Sequence, residues 1–553
     1  MTTIDWLFAC LAGIHVVSAL ANGHEESFVF LREALPYAAL YLAWRLTHNL
    51  FGKVSGVVLL AAICLWSCLE SLIGLSQVFG HRASGHAVFG MTGSFSNPGP
   101  YGGFTAITLS VAAAYALTRR KSLSSIPEAL GKAIEGGKPS MPRIRFLLLR
   151  ALPLLLSIVT VALGIIVLPA TRSRAGWLGF GIAMAVYALT RTKASLQVRR
   201  HKCLAAIAAV VILVGCAGVF MMKKDSALGR LHIWNMESRA IAKSPFTGHG
   251  PGYAMGAYGK AQEEYFRKAR RPEIATKVAG CPEYAFNEYL KVGMETGVPG
   301  LALSLCVMVA GIAALIKRRS PFAYGLIAAA VFAFFSYPLS ITQTSVLYTL
   351  LFATAGCPSR KTGKPADSLW QPISLIAITA ATVMMALFLK TDYVRRKEAM
   401  AEWEGARRWN AMELYEDAVE ELAPLYREMS WNFRYLYDYG YALHKTGRHG
   451  ESDKVLREGA ELSSDPMFHN IIGKNMEATG EYAKAEEEYY TAHYMVPCRL
   501  YPLVLLMEMH QRLGNSEKAD SLRREIASMP VNPKNTTMRE LQERATDSLW
   551  PTT

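Results

Sequence analysis

The sequence predicts an all-α protein in two parts. A polytopic membrane helical bundle of about eleven transmembrane helices occupies residues 1–392, and a helical-repeat solenoid follows over 393–553. Three observations carry that reading. The charge is divided: residues 1–392 hold 38 Lys and Arg against 17 Asp and Glu, whereas 393–553 hold 21 against 27, so a net of +21 meets a net of −6. Apolar runs of about 18–22 residues, the length that ~30 Å of hydrocarbon requires of a helix, recur along the first part. Small residues return every 33–34 positions in the second. A 553-residue chain that is 51% hydrophobic, with its charge pushed toward one end, is not a single soluble globule. Hydrophobicity excludes disorder, and nine cysteines over this length exclude a disulfide scaffold. The apolar runs between the basic clusters direct the positive excess to a membrane and away from nucleic acid.

The spans fall at about 4–21, 28–46, 55–77, 101–118, 146–168, 174–190, 203–221, 297–316, 321–338, 340–357 and 371–389. The first ends on Ala19-Leu20-Ala21, like a signal-peptide cleavage site, but its head holds Asp5 and no Lys or Arg, so it reads as a retained helix. Basic residues fill alternate connections: Arg119 to Arg145, Arg191 to Lys202, Lys317 to Arg319 and Arg360 to Lys364. The positive-inside rule puts these on the cytoplasmic face. By parity the N-terminus is cytoplasmic, and the loops 78–100, 169–173 and 222–296 are outside with everything after 390. Long loops translocate regardless of charge, so the basic 222–296 loop does not oppose the scheme.

Arg172 and Arg174 break the charge pattern at a short outer loop. Arg32, Glu33 and Glu70 sit inside predicted spans, where a charge costs ~2.5–3.5 kcal/mol. Arg32 and Glu33 read as a structural pair or a slightly misplaced helix end, and Glu70 as a helix–helix hydrogen bond or a functional group. Cys64 and Cys68, four apart with no His nearby, read as packing residues.

Beyond 393, Ala418, Ser452, Ala485 and Ala519 are 34, 33 and 34 residues apart, and Gly447, Gly480 and Gly514 are 33 and 34 apart. Small residues at fixed offsets let the two helices of a hairpin approach closely. The unit at 468–499, with Gly473, Ala485 and Pro497, resembles the tetratricopeptide repeat, which implies three to four units and a concave face for a peptide or protein partner. A spacer or oligomer contact is the other reading.

The outer loops carry sequence that packing does not require. Residues 92–103 read Thr-Gly-Ser-Phe-Ser-Asn-Pro-Gly-Pro-Tyr-Gly-Gly. That density of proline and glycine fixes a turn and delays the helix to about residue 101. Backbone of this kind at membrane depth is tolerated where it lines a cavity or is buried in protein. Ser173-Arg174, the run 229–234 (Gly-Arg-Leu-His-Ile-Trp), the run 245–252 (Pro-Phe-Thr-Gly-His-Gly-Pro-Gly), Phe286-Asn287-Glu288-Tyr289-Leu290 and Glu295-Thr296-Gly297 follow in order. No P-loop lysine, zinc-ligand spacing or Gly-x-Ser-x-Gly elbow is present.

Over roughly residues 60–316 this ordered series resembles the bacterial O-antigen ligase/polymerase superfamily. The resemblance implies a multi-pass inner-membrane glycosyltransferase of the helical GT-C-like kind that uses neither cofactor nor metal. It also implies a glycan donor linked to undecaprenyl diphosphate. Arg174 aligns with the family's arginine after serine and Arg230 with its arginine before Ile-Trp, so both are expected to bind the diphosphate, with Arg172 a weaker third. Charge developing on a diphosphate leaving group is stabilised by cations aimed at it, and the planar guanidinium bonds oxygens in pairs.

Family ligases commonly place a histidine directly before the asparagine of the Asn-x-Tyr-Leu motif, and here that position is Phe286. The proton of the acceptor hydroxyl then falls to Glu288, Glu283 or His249, any of which also reads as a loop or turn residue. Asn97 and Asn287 are expected to hold loop conformation, and Glu295 to brace the helix that follows. Three acceptors fit: lipid A core first, then a glycan repeat unit, then a protein hydroxyl. A non-catalytic glycan-lipid-binding scaffold is the reading from another class, and a transporter ranks last. Cys281 and Cys498 share the outer compartment, as a disulfide or as two thiols.

Overall fold

The structure, a computed structural model, describes residues 2–134, 141–191, 224–268, 272–357, 394–531 and 535–547. The expected spans at 203–221 and 371–389, and the expected domain boundary at 392–393, lie outside the described residues.

The described chain opens with α1 (Thr3–Asn22). The expected span at 28–46 is two helices, α2 (Glu26–Glu33) and α3 (Leu35–Phe51), separated at Ala34. Pro36 accounts for the break: it has no N–H to return to the preceding turn, and it sits in the first turn of α3, where none is needed. Asp5 of α1 accepts the Tyr41 hydroxyl at 2.6 Å and pairs with Arg45 at 2.9 Å. The acid in the head of α1 is therefore neutralised inside the bundle.

Next come α4 (Lys53–Val78), α5 (Pro98–Ile134), α6 (Met141–Ala170) and α7 (Arg174–Arg191). The following segment holds α8 (Lys224–Lys243), α9 (Ala254–Arg267) and the short α10 (Glu273–Val278). The bundle resumes with α11 (Glu288–Lys317), α12 (Phe322–Phe335) and α13 (Thr342–Gly356). Among the described residues, five segments are long and apolar enough to cross a membrane: Thr3–Asn22, Val54–Val78, Pro98–Arg120, Ala151–Ala170 and Glu288–Lys317. Of the other expected spans, α7 is less apolar, and α12 and α13 have only 14 and 15 residues. Helix α5 runs through the core, with Tyr101, Phe104, Ile107 and Val111 fully buried against α6, α7 and α12. It approaches α12 so closely that a Cβ on Gly103 would lie 2.2 Å from the Phe332 ring.

The C-terminal part starts with α14 over 394–411 and α15 (Tyr415–Leu422). Three helix pairs follow: α16 (Phe433–Lys445) with α17 (His449–Leu462), α18 (Met467–Ala478) with α19 (Tyr482–Met495), and α20 (Tyr501–Arg512) with α21 (Ser516–Ser528). Gly447, Gly480 and Gly514 turn each pair at φ 75°, 79° and 74°, left-handed conformations that strain a side chain. The small residues at 418, 452, 485 and 519 are all buried where paired helices touch.

These pairs do not hang free. Helix α9 packs on α17 and α19, and a Cβ on Gly256 would lie 1.8 Å from the Glu461 carbonyl oxygen. The seam continues through the Ser464 hydroxyl, which donates to Pro282 O at 2.9 Å, and an Arg434–Glu283 ion pair at 2.5 Å. Arg499 lies 3.0 Å from the Cys281 sulfur, and Cys498 Sγ is 3.7 Å from Ala279 O, so both thiols belong to this seam. Glu33 of α2 reaches Arg396 of α14 at 3.3 Å.

Candidate functional site

The proline–glycine loop at 92–103 is pinned from α4. Glu70 accepts the Ser94 backbone N–H at 3.0 Å and its hydroxyl at 2.7 Å, while its own carbonyl accepts the Tyr101 hydroxyl at 2.9 Å. Two turns along the same face, Gln77 Oε1 accepts the N–H groups of Thr92 and Gly93, each at 2.9 Å, and Nε2 donates to Gly93 O at 2.7 Å. Asn97 closes the turn through the Gly99 N–H at 2.8 Å. A cleft of about 350 Å³ opens beside it, lined by Gln77, Arg82, Gly93, Ser94 and Phe95 among others, but by neither Arg174 nor Arg230.

The loop is tied in turn to the arginine segment, since the Ser173 hydroxyl donates to Gly99 O at 3.1 Å. Arg172, exposed, sits at φ 54°, an unusual conformation for a residue with a side chain, and lets the chain reverse between α6 and α7. Arg174 starts α7 and donates to the Ser226 hydroxyl at 3.1 Å, which brings it against the first turn of α8. Arg230, one turn further along α8, donates to Phe335 O at 2.8 Å and stacks 5.3 Å over the Phe286 ring. Burial first, then the positive charge of Arg174, pull the Arg230 pKa downward. Arginine stays charged through that shift. Two like charges are thus held within electrostatic reach, an arrangement that a polyanion between them would stabilise. Phe286 in turn meets Tyr337 edge-on at 5.5 Å, and Tyr284 stacks on Tyr337 at 4.4 Å.

The candidate proton acceptors separate by environment. Glu288, 4% exposed, begins α11 behind Asn287, whose side chain caps that helix through the N–H groups of Tyr289 and Leu290 at 3.0 and 3.1 Å. Its carboxylate faces the Leu339 N–H at 3.3 Å and Lys291 Nζ at 3.7 Å. His249 spends its ring Nε2 on Ala240 O at 2.9 Å, and its backbone N–H on Met294 O at 2.8 Å. Glu283 lies in the ion pair with Arg434 across the seam. Glu295 accepts the Gly252 N–H at 3.1 Å, and its carbonyl accepts the Ser18 hydroxyl of α1 at 2.6 Å. It thereby braces the 248–252 turn against the point where α11 breaks, Gly297 at φ 73°.

Residues 159–305 match the family model described as O-Antigen ligase. The matched stretch takes in Arg172, Arg174, Arg230, His249, Glu283, Asn287, Glu288 and Glu295, and leaves Asn97 outside. No curated protein matches the chain. In this stretch the chain is similar to the O-antigen ligases, which supports a membrane enzyme of the ligase/polymerase glycosyltransferase type.

Three site residues escape a reading of motifs. Gln77 stands seven residues after Glu70, a same-face spacing that is visible in the sequence once Glu70 is singled out. Ser226 carries no signal of its own. Glu237 stands seven after Arg230 in the same way; it is fully buried, and both its oxygens lack a hydrogen-bond partner.

Proposed function

We propose that this protein transfers a glycan from undecaprenyl diphosphate to an acceptor at the periplasmic face of the bacterial inner membrane, with lipid A core as the acceptor. The observation that carries the reading is that Arg174 reaches Ser226, one helical turn before Arg230 on α8, both arginines lying inside the stretch similar to O-antigen ligases. In this mechanism the two guanidinium groups, with Arg172 at the margin, hold the diphosphate and take up charge as the sugar–phosphate bond breaks. The acceptor hydroxyl attacks the anomeric carbon and gives its proton to a carboxylate. Among the three candidates Glu288 is favoured, because His249 and Glu283 are engaged elsewhere. The 92–103 loop, fixed by Glu70 and Gln77, shapes one wall beside Ser173.

In this reading the membrane part runs to about 392 and the rest is a periplasmic tetratricopeptide-like domain that engages a protein. A protein hydroxyl as acceptor is the second reading, favoured by the seam that joins the helix pairs to residues 279–283, just before Phe286.

Glycan profiling of a deletion strain separates the acceptors. Loss of long lipopolysaccharide chains supports lipid A core, shortened chains support polymerisation, and loss of glycoprotein signal supports a protein. Arg174→Ala and Arg230→Ala, expressed at the normal level, are expected to abolish transfer. Full transfer in both would leave only a binding scaffold.

A further inference from the structure

We propose that Tyr284, stacked on Tyr337, is a sugar-binding shelf: the open face of its ring receives a pyranose ring of the lipid-linked glycan, beside the diphosphate held by Arg230. This rests on the donor reading given above and names where its glycan lies.

The shelf is built from the irregular segment between α10 and α11. Ala285 is buried in the cluster that holds Met236, Tyr258 and Met294. Its two neighbours, Tyr284 and Phe286, both meet one ring, that of Tyr337. Tyr284 stacks on it at 4.4 Å with 7° between the planes, and Phe286 meets it edge-on at 5.5 Å. Tyr337 stands two residues beyond Phe335, whose carbonyl accepts Arg230 at 2.8 Å, and Arg230 lies 5.3 Å over the Phe286 ring. The contacts thus run without a gap from the guanidinium through Phe286 and Tyr337 to Tyr284. A glycan that starts at a diphosphate on Arg230 reaches the shelf with its first sugars.

Exposure and order set this pair apart from packing. Tyr284 is 39% exposed although its ring is large. One face of that ring lies on Tyr337, so the exposure falls on its other face and its edge. Neither phenol hydroxyl bonds to another described residue. The segment is fastened on both sides of the ring, since Glu283 pairs with Arg434 and Asn287 caps α11. A tyrosine has two side-chain torsions, and one that is already stacked loses little further freedom when a ligand arrives.

Sugar chemistry fits that surface. The face of an aromatic ring is negative and its edge positive. The C–H groups on one side of a pyranose are polarised by the oxygens of the sugar and carry partial positive charge, so they settle on the aromatic face. The equatorial hydroxyls stay at the rim, where the phenol hydroxyls and water bond them. An alkyl chain has neither the polarised C–H groups nor the rim hydroxyls and gains only buried area. Tyrosines also line membrane interfaces, but that role needs neither a stacked partner nor a link to Arg230. The shelf binds the glycan by its apolar side and takes no part in making or breaking bonds.

The test compares two ligands on the full chain purified in detergent. One is undecaprenyl diphosphate without sugar, and the other is the glycan-linked form extracted from the native host. Wild type is expected to bind the glycan-linked form more tightly. Tyr284→Leu should cut that preference roughly three- to tenfold and bind the bare lipid diphosphate as wild type does, which also shows that the variant is folded. Tyr284→Phe keeps the ring and should keep most of the preference. A wild-type preference in Tyr284→Leu, or no preference in wild type, overturns the shelf and leaves Tyr284 an interfacial tyrosine, with the arginine reading intact. Equal weakening of both ligands in Tyr284→Leu marks a structural role and overturns the shelf as well. Arg230→Ala should weaken both ligands alike, and unchanged binding of both in that variant overturns the diphosphate reading itself.

Discussion

Glu70 holds Ser94 twice, through the backbone N–H at 3.0 Å and the hydroxyl at 2.7 Å. A carboxylate inside a membrane span is thus employed in fixing an irregular loop. Glu70→Ala removes two hydrogen bonds made to a charged acceptor and should cost about 1–3 kcal/mol, read as a lower melting temperature in detergent. Transfer should fall with it. Glu70→Gln retains a carbonyl acceptor and should lie between Ala and wild type in both measurements.

Arg230→Lys tests geometry against charge. Lysine keeps the cation but loses the planar fork and the stacking on Phe286, so transfer should drop at least about tenfold. Arg239, exposed on the same helix and bonded to Asn235, provides the control: Arg239→Ala should transfer at the wild-type rate.

The seam between α9 and the helix pairs should be sensitive to volume and indifferent to surface charge. Gly256→Leu drives a side chain into the Glu461 carbonyl and should open the seam, at a cost of about 1–3 kcal/mol or more. Limited proteolysis would show it as faster release of the C-terminal part. Lys260→Ala breaks an ion pair whose side chains are 58% and 45% exposed, and should alter the digestion pattern little.

His493 gives the C-terminal part a dependence on acid. Burial pushes its pKa down from 6.5 to about 4, and its Nδ1 has no hydrogen-bond partner. Between those values the unfolded chain takes up a proton that the folded chain refuses, so stability is lost as pH falls from 6.5 toward 4, by about 3 kcal/mol in all. Denaturant titrations of the full chain at pH 7 and pH 4.5 should show that loss, and His493→Gln should reduce it.

Periodic features were readable because a repeat is a local pattern. Ala418, Ser452, Ala485 and Ala519 are spaced by the length of one helix pair, and each is buried for that reason. The break at Ala34 was missed, because hydropathy alone carried the 28–46 run across Pro36. The family motifs brought Arg174 and Arg230 forward as candidates. Partners across the fold were not readable. Ser18 and Glu295 are 277 residues apart, and their bond depends on which helices pack together, which neither segment encodes alone. Glu237 was hidden for a related reason: a single acid in an amphipathic stretch looks like a solvated one until the helix against it is known.

The seam also has a mechanical meaning. Cys281, Pro282 and Glu283 are gripped by Arg499, Ser464 and Arg434, and Phe286 and Glu288 follow within five residues. The C-terminal part is therefore fastened to the irregular segment that presents them, and on the proposed reading a partner that displaced it would shift Phe286 and Glu288 with it.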